Sequence, residues 1–164
     1  KSWFGITQSS YNGVMKALLS DDVEAMNHYL NEVIMATFSF FDTGSDSSET
    51  DEPERFYHGF ILGLIVEQCE NYRIRSNRES GFGRYDVMMI PKEHVRKCLP
   101  AIVMEFKVYN ERKEQTLEET VQAALQQIED KHYDAELLAQ GFKKKQIHHY
   151  GFAFQGKNVL IAGD

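Results

Sequence analysis

Long apolar runs are missing from this chain. The longest, Gly59 to Val66, falls well short of the ~18–20 residues that a membrane-spanning helix needs. A membrane span is therefore excluded as a reading. Cysteine is scarce as well. Cys69 and Cys98 form no C-x-x-C pair, and no secretory signal precedes them. This points to a reduced, cytoplasmic setting. No internal repeat is visible, and no phosphate-loop motif G-x-x-x-x-G-K-[ST] occurs. The chain opens on Lys1 rather than Met, which reads as a piece of a longer protein.

What remains is the balance of a globular domain: 164 residues, 42% hydrophobic and 26% charged. That is enough chain to bury a core without disulfides or a structural metal. The net charge of -7 argues at first against nucleic acid. Its distribution weakens the argument, because residues 42–55 carry six acids against Arg55 alone. Over residues 56–164, 15 Lys and Arg meet 15 Asp and Glu. Local clusters, not the total, then decide what this region attracts.

Residues 11–40 read as two helices. Ser20 or Asp21 caps the second, with Asp21 and Glu24 at capping-box spacing. Residues 42–53 form a polar, acidic loop without periodicity. Glu54 to Glu70 reads as a mostly buried helix, in which Gly59 and Gly63 would admit another backbone. Tyr72 to Arg75 is a short strand, followed by the turn-rich SNRESGFG. Arg84 to Ile90 alternates as a strand and Pro91 ends it. Ala101 to Val108 is an apolar strand interrupted by Glu105 and Lys107. Residues 114–132 form a long amphipathic helix, Ala135 to Gln140 a short one, and His149–Phe154 with Asn158–Ala162 a closing hairpin. The order predicts an α/β sandwich with a mixed sheet.

Side chains alternate across a strand, so Glu105 and Lys107 share one face while Ile102, Met104, Phe106 and Val108 share the other. Strand 84–90 is joined to strand 101–108 by about ten residues, consistent with antiparallel neighbours. Such pairing brings Asp86, an unusual mid-strand residue, beside Glu105 and Lys107. Alone, Glu105 and Lys107 read equally as an ion pair on a half-exposed strand. With Asp86, the patch suits a hard divalent cation. Mg²⁺ prefers carboxylate oxygen, and it would neutralise two carboxylates that otherwise repel. The lysine would orient or deprotonate an attacking water, or offset charge in the transition state.

Asp86 followed by Glu105-Phe106-Lys107 resembles the PD-(D/E)XK nuclease superfamily. More narrowly, FYHGFILGL, SNRESGFGRYDV, IVMEFKV and ALQQIEDKHY resemble the PD-(D/E)XK domain that follows an AAA-ATPase-like domain in bacterial proteins. The resemblance spans roughly residues 18–162. Tyr85 stands where the family motif has Pro. The resemblance implies a restriction-endonuclease-like core over residues 54–164, a central mixed sheet flanked by helices, behind a helical linker with an acidic loop over 1–53. It implies Mg²⁺ or Mn²⁺ as cofactor, DNA as partner, and an AAA-type ATPase domain outside this chain.

The resemblance also implies residue roles. Asp86 and Glu105 bind the metal, the Phe106 carbonyl completes the coordination, and Lys107 assists the water. His58 is a further metal ligand from the preceding helix, with Glu54 one turn before it. Arg84, on the face of Asp86, contacts the phosphate or pairs with Glu79. Gln127 and Tyr133 resemble the extra motif of RecB-like and lambda-exonuclease-like nucleases, which orients the carboxylates and the phosphate. Lys131, four residues after Gln127, joins them at the substrate. Without the resemblance, these residues read as ordinary polar surface, a first-turn acid, a surface ion pair or a core histidine. The basic run Lys143–Lys145 could track a phosphate backbone. The reading is a metal-dependent nuclease acting on DNA. Its rival is a catalytically silent nucleic-acid-binding or regulatory module attached to the ATPase domain.

Overall fold

The computed structural model describes residues 2–37, 51–80 and 83–164, with side chains described over 8–37, 56–76 and 86–164. Three helices come first: α1 (Ser2–Leu19), α2 (Val23–Thr37) and α3 (Asp51–Ile65), which tightens into a 3-10 turn over Val66–Glu70. Strands β1 (Tyr72–Ser80), β2 (Gly83–Pro91) and β3 (Ala101–Val108) follow. Helices α4 (Leu117–Asp130) and α5 (Ala135–Ala139) lead to β4 (Ile147–Gln155) and β5 (Asn158–Gly163). The five strands lie side by side in chain order. Only β3 and β4 run parallel, and α4 makes the crossover between them.

The central strands are buried on both faces, as the near-continuous apolar run of β3 requires. Helices α1, α2 and α3 pack on the face that carries Val87, Met89, Ile102, Met104, Phe106, Phe152 and Phe154. The opposite face carries Met88, Ile90 and Val103, and is covered by Leu125 and Ile128 of α4 and Leu137 of α5. Asp86 and Glu105 fall on this second face by strand alternation.

Several local expectations need correction. β1 does not stop at Arg75 but runs to Ser80, because SNRES finds partners on β2 as far as Ser80↔Gly83. Only residues 81–82, outside the described residues, remain to connect the strands. The cap of α2 is Asp22, whose Oδ1 accepts the Ala25 N–H at 3.0 Å. Asp21 instead takes a left-handed conformation, φ 58°, which Asp tolerates. Its carboxylate accepts the hydroxyl of buried Tyr150 at 2.6 Å. Gly59 and Gly63 admit no other backbone: both are exposed, and a Cβ on either would meet nothing. α3 begins at Asp51, three residues earlier than expected, with Pro53 in its first turn, where the missing N–H costs nothing. The remainder of the acidic segment, 42–50, lies outside the described residues.

The outer edge of β5 is closed by side chains. Asn27 of α2 accepts the Ile161 N–H at 2.8 Å and donates to the Ile161 carbonyl at 2.8 Å. Asn31, one turn on, does the same for Val159, at 3.1 and 2.9 Å. Each amide thus takes the place of a neighbouring strand residue, and an edge that would otherwise invite pairing is satisfied. Asn27→Leu or Asn31→Leu is expected to leave a main-chain donor and acceptor bare, lowering stability by about 1–3 kcal/mol. Urea unfolding would show this as a lower midpoint at unchanged slope. The double variant is expected to self-associate in light scattering.

Candidate active site

The β2–β3 ladder is short. It runs from Met89↔Ile102 to Val87↔Met104 and ends there. One residue further, Asp86 turns its own carboxylate into the gap and accepts the Phe106 N–H on Oδ2 at 2.7 Å. A side-chain oxygen therefore takes the main-chain donor that a continuing β2 would have paired. The donor and acceptor of a strand residue face the same neighbour, so the Phe106 carbonyl is turned toward the same gap. The sequence alternation places Glu105 and Lys107 on one face and Phe106 on the other, and the structure agrees: Phe106 joins the α1–α3 core.

Glu105 is 4% exposed, a carboxylate inside the protein. Burying such a group demands partners. Gln127 of α4 supplies one through Nε2, which donates to Glu105 Oε1. The other Nε2 proton goes to the Tyr133 hydroxyl oxygen at 3.0 Å. On the opposite side of the same amide, Oε1 accepts the Lys107 ammonium at 2.7 Å. A flipped amide would set its NH₂ against the ammonium and its oxygen against the carboxylate, so the orientation is fixed by charge. The long helix that carries Gln127 starts cleanly, with Thr116 Oγ1 accepting the Glu119 N–H at 3.2 Å and two acids in the first turn.

Glu105 lies within electrostatic reach of the Asp86 carboxyl. Burial pushes the Asp86 carboxyl above its ordinary 3.8. The Phe106 N–H, positive charge on His58, the Lys107 ammonium and the Glu105 side chain all pull the other way and are outweighed. His58 stands on α3, on the other side of the sheet, with its ring 5.7 Å from that of Phe106, and its charge is felt at Asp86.

Asp86, Glu105, Lys107, Gln127 and Tyr133 are thus brought together, with His58 beside Asp86. Tyr133 is not at a solvent rim but 2% exposed, clamped beneath the end of α4. Lys131 is exposed at the C-cap of α4 and, among the described residues, makes no bond to this network. The side chains of Glu54, Glu79 and Arg84 lie outside the described residues. Their backbones sit in α3, β1 and β2, with Glu79 and Arg84 facing each other in the hairpin. The lysines at 144 and 145 flank the start of β4, where Ile147 pairs with Ala101. That is six residues, or ~20 Å, along β3 from Lys107, so they do not adjoin the network.

One position goes unremarked in the sequence reading. Gly151 of β4 stands opposite Glu105 in the parallel register. The available signal is a glycine inside an otherwise aromatic and apolar strand, which marks close approach by another backbone.

The donors that face the gap are two carboxylates and a main-chain carbonyl. Among the described residues no three His, Cys, Asp or Glu side chains converge as a cation cage. An all-oxygen, incomplete set of this kind fits Mg²⁺, which keeps several waters and takes one or two carboxylates, better than it fits Zn²⁺.

The raised Asp86 carboxyl gives a signed expectation. The folded protein holds a proton that the unfolded chain has lost, so metal-free stability falls as pH rises from 3.8 through the higher folded value. Asp86→Asn keeps an oxygen for the Phe106 N–H and removes the charge. It is expected to be more stable than the native chain at pH 7 in chelator, and to lose this part of the pH dependence in thermal melts.

A family model described as PD-(D/E)XK nuclease superfamily matches residues 52–163. No curated protein and no solved structure gives a significant match. The matched stretch covers more than half of the chain and contains the parted strands, both carboxylates, the lysine and the helix amide. The chain belongs to the PD-(D/E)XK nuclease superfamily.

Proposed function

We propose that this domain hydrolyses phosphodiester bonds in DNA with Mg²⁺ or Mn²⁺ as cofactor. The observation that carries the reading is the Asp86 carboxylate filling the break in the β2–β3 ladder. There it faces the same side of the sheet as Glu105, which shares the Gln127 amide with Lys107. An ordinary sheet gains nothing from ending a central ladder at a buried acid. A cation site does, since two acids must be held close and pointed one way.

Asp86 is oriented by the Phe106 N–H, and Glu105 by the Gln127 amide, before any ligand arrives. In this arrangement Asp86, Glu105 and the Phe106 carbonyl would hold the cation, with His58 next to Asp86. When bound, Mg²⁺ would offset both carboxylates, lower the pKa of a coordinated water and stabilise charge on the phosphoryl oxygen. Lys107 holds an ammonium at the site, fixed by Gln127 Oε1, where it can orient the attacking water and favour the developing negative charge. Tyr133 keeps the amide from turning. Arg84, two residues before Asp86 on the same strand, and Lys131 at the end of α4 serve the phosphate backbone in this reading. Glu54 and Glu79 are further candidates. The wider setting in this reading is a bacterial, cytoplasmic protein with an AAA-type ATPase domain; among the described residues no helix is long and apolar enough to cross a membrane.

Linear duplex, closed circular and single-stranded DNA, and RNA, incubated with the protein in Mg²⁺ or Mn²⁺, test this. Cleavage of DNA and not RNA is expected, abolished by chelator. Asp86→Ala, Glu105→Ala and Lys107→Ala should each lose at least ~10²-fold, the scale of one electrostatic or acid–base contribution. A second readout needs no substrate. At a hundredfold excess over Kd, Mg²⁺ should stabilise the native chain by about 2.7 kcal/mol and leave Asp86→Ala unchanged. A chain that binds DNA equally with and without Asp86, and cleaves none, would be the silent module instead.

A further inference from the structure

Gly151 faces α4 from the middle of β4. A Cβ at this position would lie 2.8 Å from the Val121 carbonyl oxygen, 3.1 Å from Ala124 Cβ and 3.2 Å from Leu125 Cγ. The nearest of these is main chain and cannot turn aside. The surrounding contact is built from small groups, with Ala124 on the helix and Ala153 on the strand both fully buried. The helix therefore rests on bare backbone at the level of Glu105, which is the register partner of Gly151.

Gln127 lies one turn beyond Ala124. Its amide spans two elements: Glu105 and Lys107 belong to β3, whereas Tyr133 follows α4 in the same connected segment. A lift of α4 by several tenths of an ångström, as a methyl at 151 would demand, stretches the bonds to β3. The bond to Tyr133 moves with the helix and survives. We infer that Gly151 is a positioning residue: by carrying no side chain it sets the height of α4, and that height lets one amide hold Glu105 and Lys107 at once. The consequence for turnover rests on the nuclease reading; the consequence for the amide does not.

Gly151→Ala separates the two. The Gln127 side-chain amide, assigned in ¹⁵N-edited spectra of the metal-free protein by its loss in Gln127→Glu, is expected to exchange with solvent slowly in the native chain. It should exchange at least tenfold faster in Gly151→Ala, while core main-chain amides stay protected. The control is Gly163→Ala, whose Cβ would meet the Tyr150 ring at 3.0 Å, a tight contact away from α4; it should leave Gln127 as it is. On DNA with Mg²⁺, Gly151→Ala should lower kcat at least tenfold with KM within twofold, and Gly163→Ala should not. If Gly151→Ala fails to fold, Ala124→Ser adds one atom to the same contact and should move the amide in the same direction. An unchanged Gln127 amide in a folded Gly151→Ala or Ala124→Ser overturns the inference. So does a displaced amide at native turnover. A displaced amide in a chain that cleaves nothing supports the positioning and sinks the nuclease reading instead.

Discussion

Everything at the site follows from one substitution of hydrogen-bond partner. Where β2 would have offered a main-chain acceptor to Phe106, the Asp86 carboxylate does so instead. The two strands stop pairing at Val87↔Met104. Beside the gap that results, His58 and Phe106 stand on one side of the sheet, and Glu105 and Lys107 on the other. The gap leaves the Phe106 carbonyl without β2 to accept from. Elsewhere the sheet is conventional, and its central strands are buried on both faces.

The electrostatics are those of a site organised before its ligand arrives. Burial disfavours the ionised Asp86 carboxyl, and desolvation wins over four favourable neighbours there. The tension is localised by a neutral amide. Gln127 carries no charge, yet its two ends distinguish an acid from an ammonium. A charged residue there would have neutralised one of the groups it now orients.

The pairing of Asp86 with Glu105 and Lys107 was legible because it rests on strand alternation. Asp86 mid-strand and Glu105 two residues before Lys107 could be assigned to one face without coordinates. Gln127 and Tyr133 needed a resemblance to be noticed, since a helix Gln is ordinary surface until its neighbours are known. The length of β1 was missed because SNRES carries turn-forming residues, and only pairing with β2 overrides that local preference. Gly59 and Gly63 misled in the opposite way, small residues on a face that turned out to be open. Gly151, which does meet a backbone, was hidden among aromatics.

The paired amides on α2 have a mechanical meaning. Four residues of helix rise about 6 Å, and two residues of strand about 6.8 Å. The mismatch is small enough for Asn27 and Asn31 to meet alternate residues of β5 together, while Val23 and Met35, one turn to either side, carry no amide for a third such bond. The two elements work like the scales of a vernier, coinciding at one setting only. Sliding α2 by a single residue along β5 would lose both coincidences. The first two helices are thereby keyed to the sheet lengthwise as well as pressed against it. Through β4, the one strand that lies between β5 and β3, that key holds the N-terminal helices in a set position relative to Glu105 and Lys107.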